Sequence, residues 1–255
     1  MFSSTSFAGR HILITGGTRG IGLATTEMFL AMGARVTVIH RSQSSSQHKL
    51  QMRFHGSGQL HYIRSDLGAL EHHQPILQQA VALKQQNIDV AILNAGIANN
   101  ALLGHYTNAD IDQLCQVNLT ANVHLSQILL QYMTQDEGSI VVNSSMAGLL
   151  PKQGNGLYSY IKAALNGFVI AFAPYCFEHK IRLNAVAPTF IDTDLIKSLS
   201  PSEYQPFIVG TALNKLIPID HLTNIIAFLA SPLSQAIIGE VVPVTGGLFR
   251  RNLAQ

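Results

Sequence analysis

Tyr158 and Lys162 stand four residues apart in a stretch whose apolar spacing predicts a helix, so their side chains share one face. An unperturbed phenol has a pKa near ~10, too high to exchange protons readily at neutral pH, and a neighbouring ammonium favours the phenolate. Each unit of lowering requires about 1.4 kcal/mol of differential interaction, which is attainable only in a partly desolvated site. Tyr160 lacks such a partner, because the residue four further on is Ala164. Thirteen residues before Tyr158, at the end of an apolar run, stands Ser145. Read alone it is a turn hydroxyl; read with the pair downstream it is a group that could hydrogen-bond an oxygen presented to the phenol.

A second cluster opens the chain. Thr15-Gly16-Gly17-Thr18-Arg19-Gly20-Ile21-Gly22 follows the first apolar run and leads into a helical pattern. Residues without a Cβ let backbone N–H groups and a helix N-terminus come close to a pyrophosphate, so this turn predicts a dinucleotide. Where NAD binders place an acid at the end of the second strand, this chain carries His40, Arg41 and Ser42. A 2′-phosphate brings nearly two negative charges, and a guanidinium fork matches its oxygens. Arg19 could approach the same phosphate from within the glycine turn. The expected cofactor is therefore NADP(H) in preference to NAD(H).

The spacing Thr-Gly-x-x-x-Gly-x-Gly is followed in order by Asp66, Asn94-Ala95-Gly96, Asn118, Ser145, Tyr158, Lys162, Pro188 and Thr193. Over roughly residues 10–247 this pattern resembles the short-chain dehydrogenase/reductase family. The resemblance implies an α/β, single-domain Rossmann fold: a doubly wound parallel sheet of seven strands in the order 3-2-1-4-5-6-7, helices on both faces, assembled as a homotetramer or homodimer. It implies that Tyr158 is general acid in reduction and base in oxidation, with Ser145 holding the substrate oxygen. Lys162 and the nicotinamide charge would together supply the roughly 3–4 kcal/mol that brings the phenol near neutrality. Asn118 would bend its helix and hold a relay water near the lysine. The implied cofactor contacts are Gly16, Thr18, Arg19, Gly20, Ile21, Gly22, His40, Arg41, Ser42, Ala95, Gly96, Tyr158, Lys162 and Pro188, with Asp66 and Leu67 flanking the adenine, Asn94 supporting the ribose, and Ile191 and Thr193 on the carboxamide. Thr189 after Pro188, Thr245 before Gly246-Gly247, and Pro174 inside a long helix depart from the family's pattern. The activity implied is NADP(H)-dependent interconversion of a carbonyl and a secondary alcohol. A 3-oxoacyl-carrier-protein reductase is the alternative, and a non-catalytic NADP(H) sensor is the alternative from another class.

These residues need a scaffold, and the chain predicts one. Runs at 11–15, 35–40, 60–64, 88–94, 139–143, 180–187 and 241–245 read as strands, mostly apolar along their whole length as expected of strands covered on both faces. Helical patterns at 20–32, 69–86, 110–135, 155–177 and 219–230 lie between them, and such alternation predicts a parallel sheet. The Ser- and Gln-rich stretch 41–58 reads as a solvated connection. Residues 189–213, with Pro201, Tyr204, Pro206 and Phe207, read as a lid beyond the sixth strand. Leu149, Leu150, Leu157, Phe190, Leu195, Tyr204 and Phe207 would give an apolar substrate pocket.

Composition bounds the alternatives. The 255 residues are 47% hydrophobic and 12% charged, which excludes a disordered chain. The 16 basic and 14 acidic residues form no charge run, which argues against nucleic acid as a partner. Cys115 and Cys176 have neither disulfide-framework nor zinc spacing, and the 11 histidines show no ligand pattern, so no metal is expected. The stretch 163–177 is too short to span a bilayer and reads as a buried or interface helix. With no leader pattern at the N-terminus, a cytoplasmic enzyme acting on a small molecule is expected.

Overall fold

Five strands are buried along almost every residue: His11–Thr15 (β1), Arg35–His40 (β2), Val90–Leu93 (β4), Gly138–Asn143 (β5) and Ile181–Pro188 (β6). That burial explains why they read as continuous apolar runs. The edge strands Leu60–Arg64 (β3) and Val241–Val244 (β7) are only partly covered. All seven form one parallel sheet in the order β3-β2-β1-β4-β5-β6-β7, as the family resemblance implies. The computed structural model describes every residue except 1, 43, 100, 102, 152–153, 194–195, 197–199, 201–204, 206–207 and 249–255.

Helices cover both faces. Gly20–Ala31 (α1) and Ile219–Ala230 (α7) pack Phe29, Leu222 and Ile226 against Ile12, Ile14, Val36 and Val38. On the other face His73–Lys84 (α3), Ala121–Leu129 (α5) and Gly156–Glu178 (α6) pack Leu77, Leu125, Leu129, Leu165 and Val169 against Leu13, Ile39, Ala91 and Leu93. Neighbouring residues of β1 thus enter opposite cores, as strand alternation requires. Each fully buried Leu or Ile contributes about 1.5–3 kcal/mol. The order reverses at β1, between β2 and β4, which opens a crevice at the carboxyl ends of those strands.

Three expectations change. The stretch after β2 contains a helix, Ser45–Arg53 (α2), where a solvated connection was expected. Ser44 caps it, accepting from the Gln47 N–H at 3.0 Å and donating to the Thr18 carbonyl at 2.8 Å. Its polar sequence hides a small apolar side, of which Leu50 is buried. The helix expected over 110–135 divides into Asn108–Cys115 (α4), a π-helical turn Gln116–Thr120, and α5. The fourth strand is shorter than 88–94, with Ile88 in a lone bridge to Met133. Helix α6 is long and apolar enough to cross a membrane by length and composition. Here it packs on the sheet and buries Lys162 in its interior face.

Candidate active site

β5 ends at Asn143, and Ser144 and Ser145 follow with opposite fates. Ser144 is buried, and its hydroxyl donates to the side-chain oxygen of Asn166. Ser145 is extended (φ −163°) and caps a short 3-10 turn, accepting from the Ala147 N–H at 3.1 Å. Its hydroxyl also acts on the Tyr158 phenol, favouring the ionised form. Gly148 lets the 3-10 turn lie against α6, since an added Cβ would stand 2.5 Å from the Lys162 carbonyl carbon.

Lys162 is only 4% exposed. Its Nζ lies 5.6 Å from the centre of the Tyr158 ring and donates to the Asn143 carbonyl at 3.0 Å. Burial pulls its pKa from 10.5 to about 8. Burial also raises that of Tyr158, with the Ser145 hydrogen bond as the opposing influence. A phenol already lowered toward neutrality is therefore not what the protein alone provides; desolvation outweighs the hydroxyl bond. Tyr160, two residues on, is 62% exposed on the outer face of α6.

Asn118 lies inside the π-helical turn and is fully buried. Its amide pairs with Ile97 twice, accepting from the N–H and donating to the carbonyl, each at 2.9 Å. The bend expected at this residue is present, as a π turn.

The glycine turn joins β1 to α1. Gly16 (φ +69°) and Gly20 (φ +52°) take left-handed conformations. At Gly22 an added Cβ would meet the Gly16 carbonyl oxygen at 2.2 Å and Asn94 Nδ2 at 2.5 Å. Arg19 precedes the first turn of α1, which receives no side-chain cap and contains no acid. Free N–H groups on a helix dipole, reached over glycines, are what a pyrophosphate requires, so the turn fits a dinucleotide. Thr18 is buried and Ile21 half-buried.

The turn is tied to β5 by hydrogen bonds among Thr15, Asn94 and Asn143, a linkage that sequence reasoning does not show although it names Asn94 as a cofactor contact. Thr15 Oγ1 accepts from the Asn94 and Ala95 N–H groups, both at 2.9 Å. Asn94 Nδ2 donates to the Thr15 carbonyl at 3.1 Å and the Gly16 carbonyl at 3.3 Å, and Asn143 Nδ2 donates to Asn94 Oδ1 at 2.9 Å. The available signal was position alone: both Thr15 and Asn143 are polar residues closing an apolar strand.

The remaining expected contacts are dispersed around the crevice. Arg41 and Ser42 are exposed beyond β2, but the His40 ring is 6% exposed and turns inward, edge-on to Tyr62 and within 3.5 Å of Gln47. Its Nδ1 stands 3.2 Å from the Ser42 carbonyl just beyond the strand. Asp66 accepts from the Gly68 N–H at 2.9 Å, and the Leu67 carbonyl accepts from His73 Nε2 at 2.9 Å. Gly96 lies against Asn118, whose Oδ1 would be 2.8 Å from an added Cβ. Pro188 and Ile191 are buried, Ile191 bridging to Ile217, while Thr193 is half-buried. Leu149 and Leu150 flank the Ser145 turn, Leu157 is buried and Phe190 half-buried. Leu195, Tyr204 and Phe207, with Pro201, Pro206 and other parts of the expected lid, lie outside the described residues.

The short chain dehydrogenase family profile matches residues 10–204. A tropinone reductase homologue from Arabidopsis thaliana is 31% identical over 95% of this chain and 93% of its own length. A 3-oxoacyl-(acyl-carrier-protein) reductase from Aquifex aeolicus is 30% identical over 94% of this chain and 98% of its own. Among solved structures, a Burkholderia cenocepacia short chain dehydrogenase in complex with NADP superposes with a TM-score of 0.88 at 26% identity, covering 96% of this chain and 99% of that one.

Proposed function

The chain belongs to the short-chain dehydrogenase/reductase family of oxidoreductases, which bind nicotinamide cofactors, and from that premise we propose that it interconverts a carbonyl and a secondary alcohol using NADP(H). The observation that carries this reading is buried Lys162 beside the Tyr158 ring and held by the Asn143 carbonyl, with Asn143 joined through Asn94 to the glycine turn. When bound, NADP(H) supplies or accepts the hydride. Tyr158 gives its phenolic proton to the substrate oxygen in reduction, or takes the hydroxyl proton in oxidation. Ser145 donates to that same oxygen and fixes its distance from the phenol. Lys162 acts against the desolvation of Tyr158 by favouring the phenolate. Asn118 holds the π turn beside Gly96, from which a relay water would return a proton toward Lys162. Arg41 and Arg19, without an acid at the end of β2, favour the 2′-phosphate.

The substrate is a small molecule, and we read the protein as cytoplasmic, in keeping with its two free thiols. The outer face of α6 exposes Tyr160, Ile170, Tyr175 and Phe177, which suits a homodimer or homotetramer built across it. The test is NADPH oxidation across a panel of small ketones and aldehydes, beside NADPH and NADH titrations. Cofactor binding without turnover of any carbonyl would favour a sensor; tighter NADH than NADPH would refute the cofactor assignment. Reduction of 3-oxoacyl groups on a carrier protein is the second reading, favoured by the Aquifex relative.

A further inference from the structure

Arg64 closes β3, and the register sets it directly beside His40 at the end of β2. Its Nε donates to the Arg41 carbonyl at 3.3 Å, so the side chain crosses the end of β2 and does not extend freely into solvent. A cavity of about 470 Å3 opens here, walled by Ile63 and Pro75 and edged by Arg41, Arg64, Asp66 and His72. Neither guanidinium has a carboxylate partner among the described residues; the ion pairs there, Arg10–Glu137 and Lys180–Asp136, involve other groups. Asp66 is the acid of this cavity, and one of its oxygens is engaged by the Gly68 N–H. Two like charges lining one open cavity repel each other unless an anion lies between them. Asp66, one of the two residues expected to flank the adenine, thus lines the cavity.

We infer that Arg64 determines cofactor choice, receiving the adenosine 2′-phosphate together with Arg41. The inference rests on the NADP(H) reading and adds to it a residue from the neighbouring strand. The bond to the Arg41 carbonyl uses Nε and leaves both Nη groups for phosphate oxygens, while the same bond steadies the Arg41 backbone. The apolar wall at Ile63 and Pro75 offers a surface to the adenine side of the nucleotide.

The experiment measures binding of 2′,5′-ADP and 5′-ADP by calorimetry to the whole protein, so that turnover does not enter. Wild type is expected to prefer 2′,5′-ADP. Arg64→Gln, which can keep a donor to the Arg41 carbonyl, is expected to lose about ten- to a hundred-fold in 2′,5′-ADP affinity. Its 5′-ADP affinity and melting temperature should stay unchanged, and Arg64→Lys should recover part of the loss. The difference between wild type and Arg64→Gln should shrink as salt rises. Equal weakening of both nucleotides would mean that Arg64 only stacks on the adenine or orders the loop, and would overturn the inference. No change in either nucleotide would overturn it too, with the NADP(H) reading intact. A wild type that binds 5′-ADP as tightly as 2′,5′-ADP would remove that reading, and the inference with it.

Discussion

Replacing Lys162 with Met should stabilise the folded protein while abolishing turnover. Burial lowers the lysine pKa from 10.5 to about 8, which at ~1.4 kcal/mol per unit corresponds to about 3 kcal/mol spent on keeping an ammonium inside the fold. One hydrogen bond, to the Asn143 carbonyl at 3.0 Å, offsets part of this, and its loss costs about 1 kcal/mol. Met has a similar unbranched length and fills the same channel. The net gain is about 1–2 kcal/mol, or a few degrees in melting temperature for a chain of this size. The sign with pH is fixed. An unfolded lysine keeps its proton to about 10.5 and the folded one loses it near 8, so wild-type stability rises with pH across that interval. The advantage of Met is therefore full below pH 8 and fades above it. Tyr158 is present in both proteins, so its own raised pKa largely cancels in the comparison. Urea unfolding followed by circular dichroism at about pH 7 and pH 9.5 reads the difference directly, with NADPH turnover measured alongside. A variant less stable than wild type at pH 7, or an advantage that ignores pH, would refute the reasoning.

Tyr158→Phe should lower turnover at least ~10²-fold with cofactor affinity nearly unchanged, whereas Tyr160→Phe, on the exposed face, should do little; equal kinetic effects would contradict the assignment. Gly22→Ala should weaken NADPH by more than about ten-fold and lower the melting temperature, because the new methyl meets backbone at 2.2 Å; calorimetry and thermal unfolding would check both. A carrier-protein thioester should show no large kcat/KM advantage over a small ketone. Steering an acidic carrier protein takes basic residues beside the site, and residues 131–137 and 173–178 contain none, while Asp136 and Glu137 are paired with Lys180 and Arg10. A large advantage that collapses with salt would restore the fatty-acid reading.

The strands were legible because double burial writes itself into short runs of three or four consecutive apolar residues, as at Ile12–Ile14 and Val90–Leu93. The pair Tyr158 and Lys162 was legible because helix geometry fixes what lies four residues away. Helix α2 was not, since a mostly polar surface helix held by a capping serine and a few buried residues leaves almost no periodic trace. The π turn at Asn118 was not legible, since resemblance implied only a bend there and a one-residue widening of a helix has no period of its own. The inward turn of His40 depends on Tyr62 and Gln47, which approach from another strand and another helix.

A parallel sheet nonetheless brings all its strands to one edge with the same polarity, so polar residues that close apolar runs meet there whatever their separation in sequence. That criterion selects Asn94 and Thr15, which the motifs also contain, and it admits Arg64 and Asn143, which no local motif marks. Thr15, Asn94 and Asn143 turn out to be linked by hydrogen bonds from β1 to β5, ending at the carbonyl that holds Lys162. The criterion also admits His40, whose ring is buried beside Tyr62 and Gln47. Strand-end position therefore narrows the choice to residues at the right edge, and the side-chain direction, set by packing from other elements, decides which of them reach the crevice.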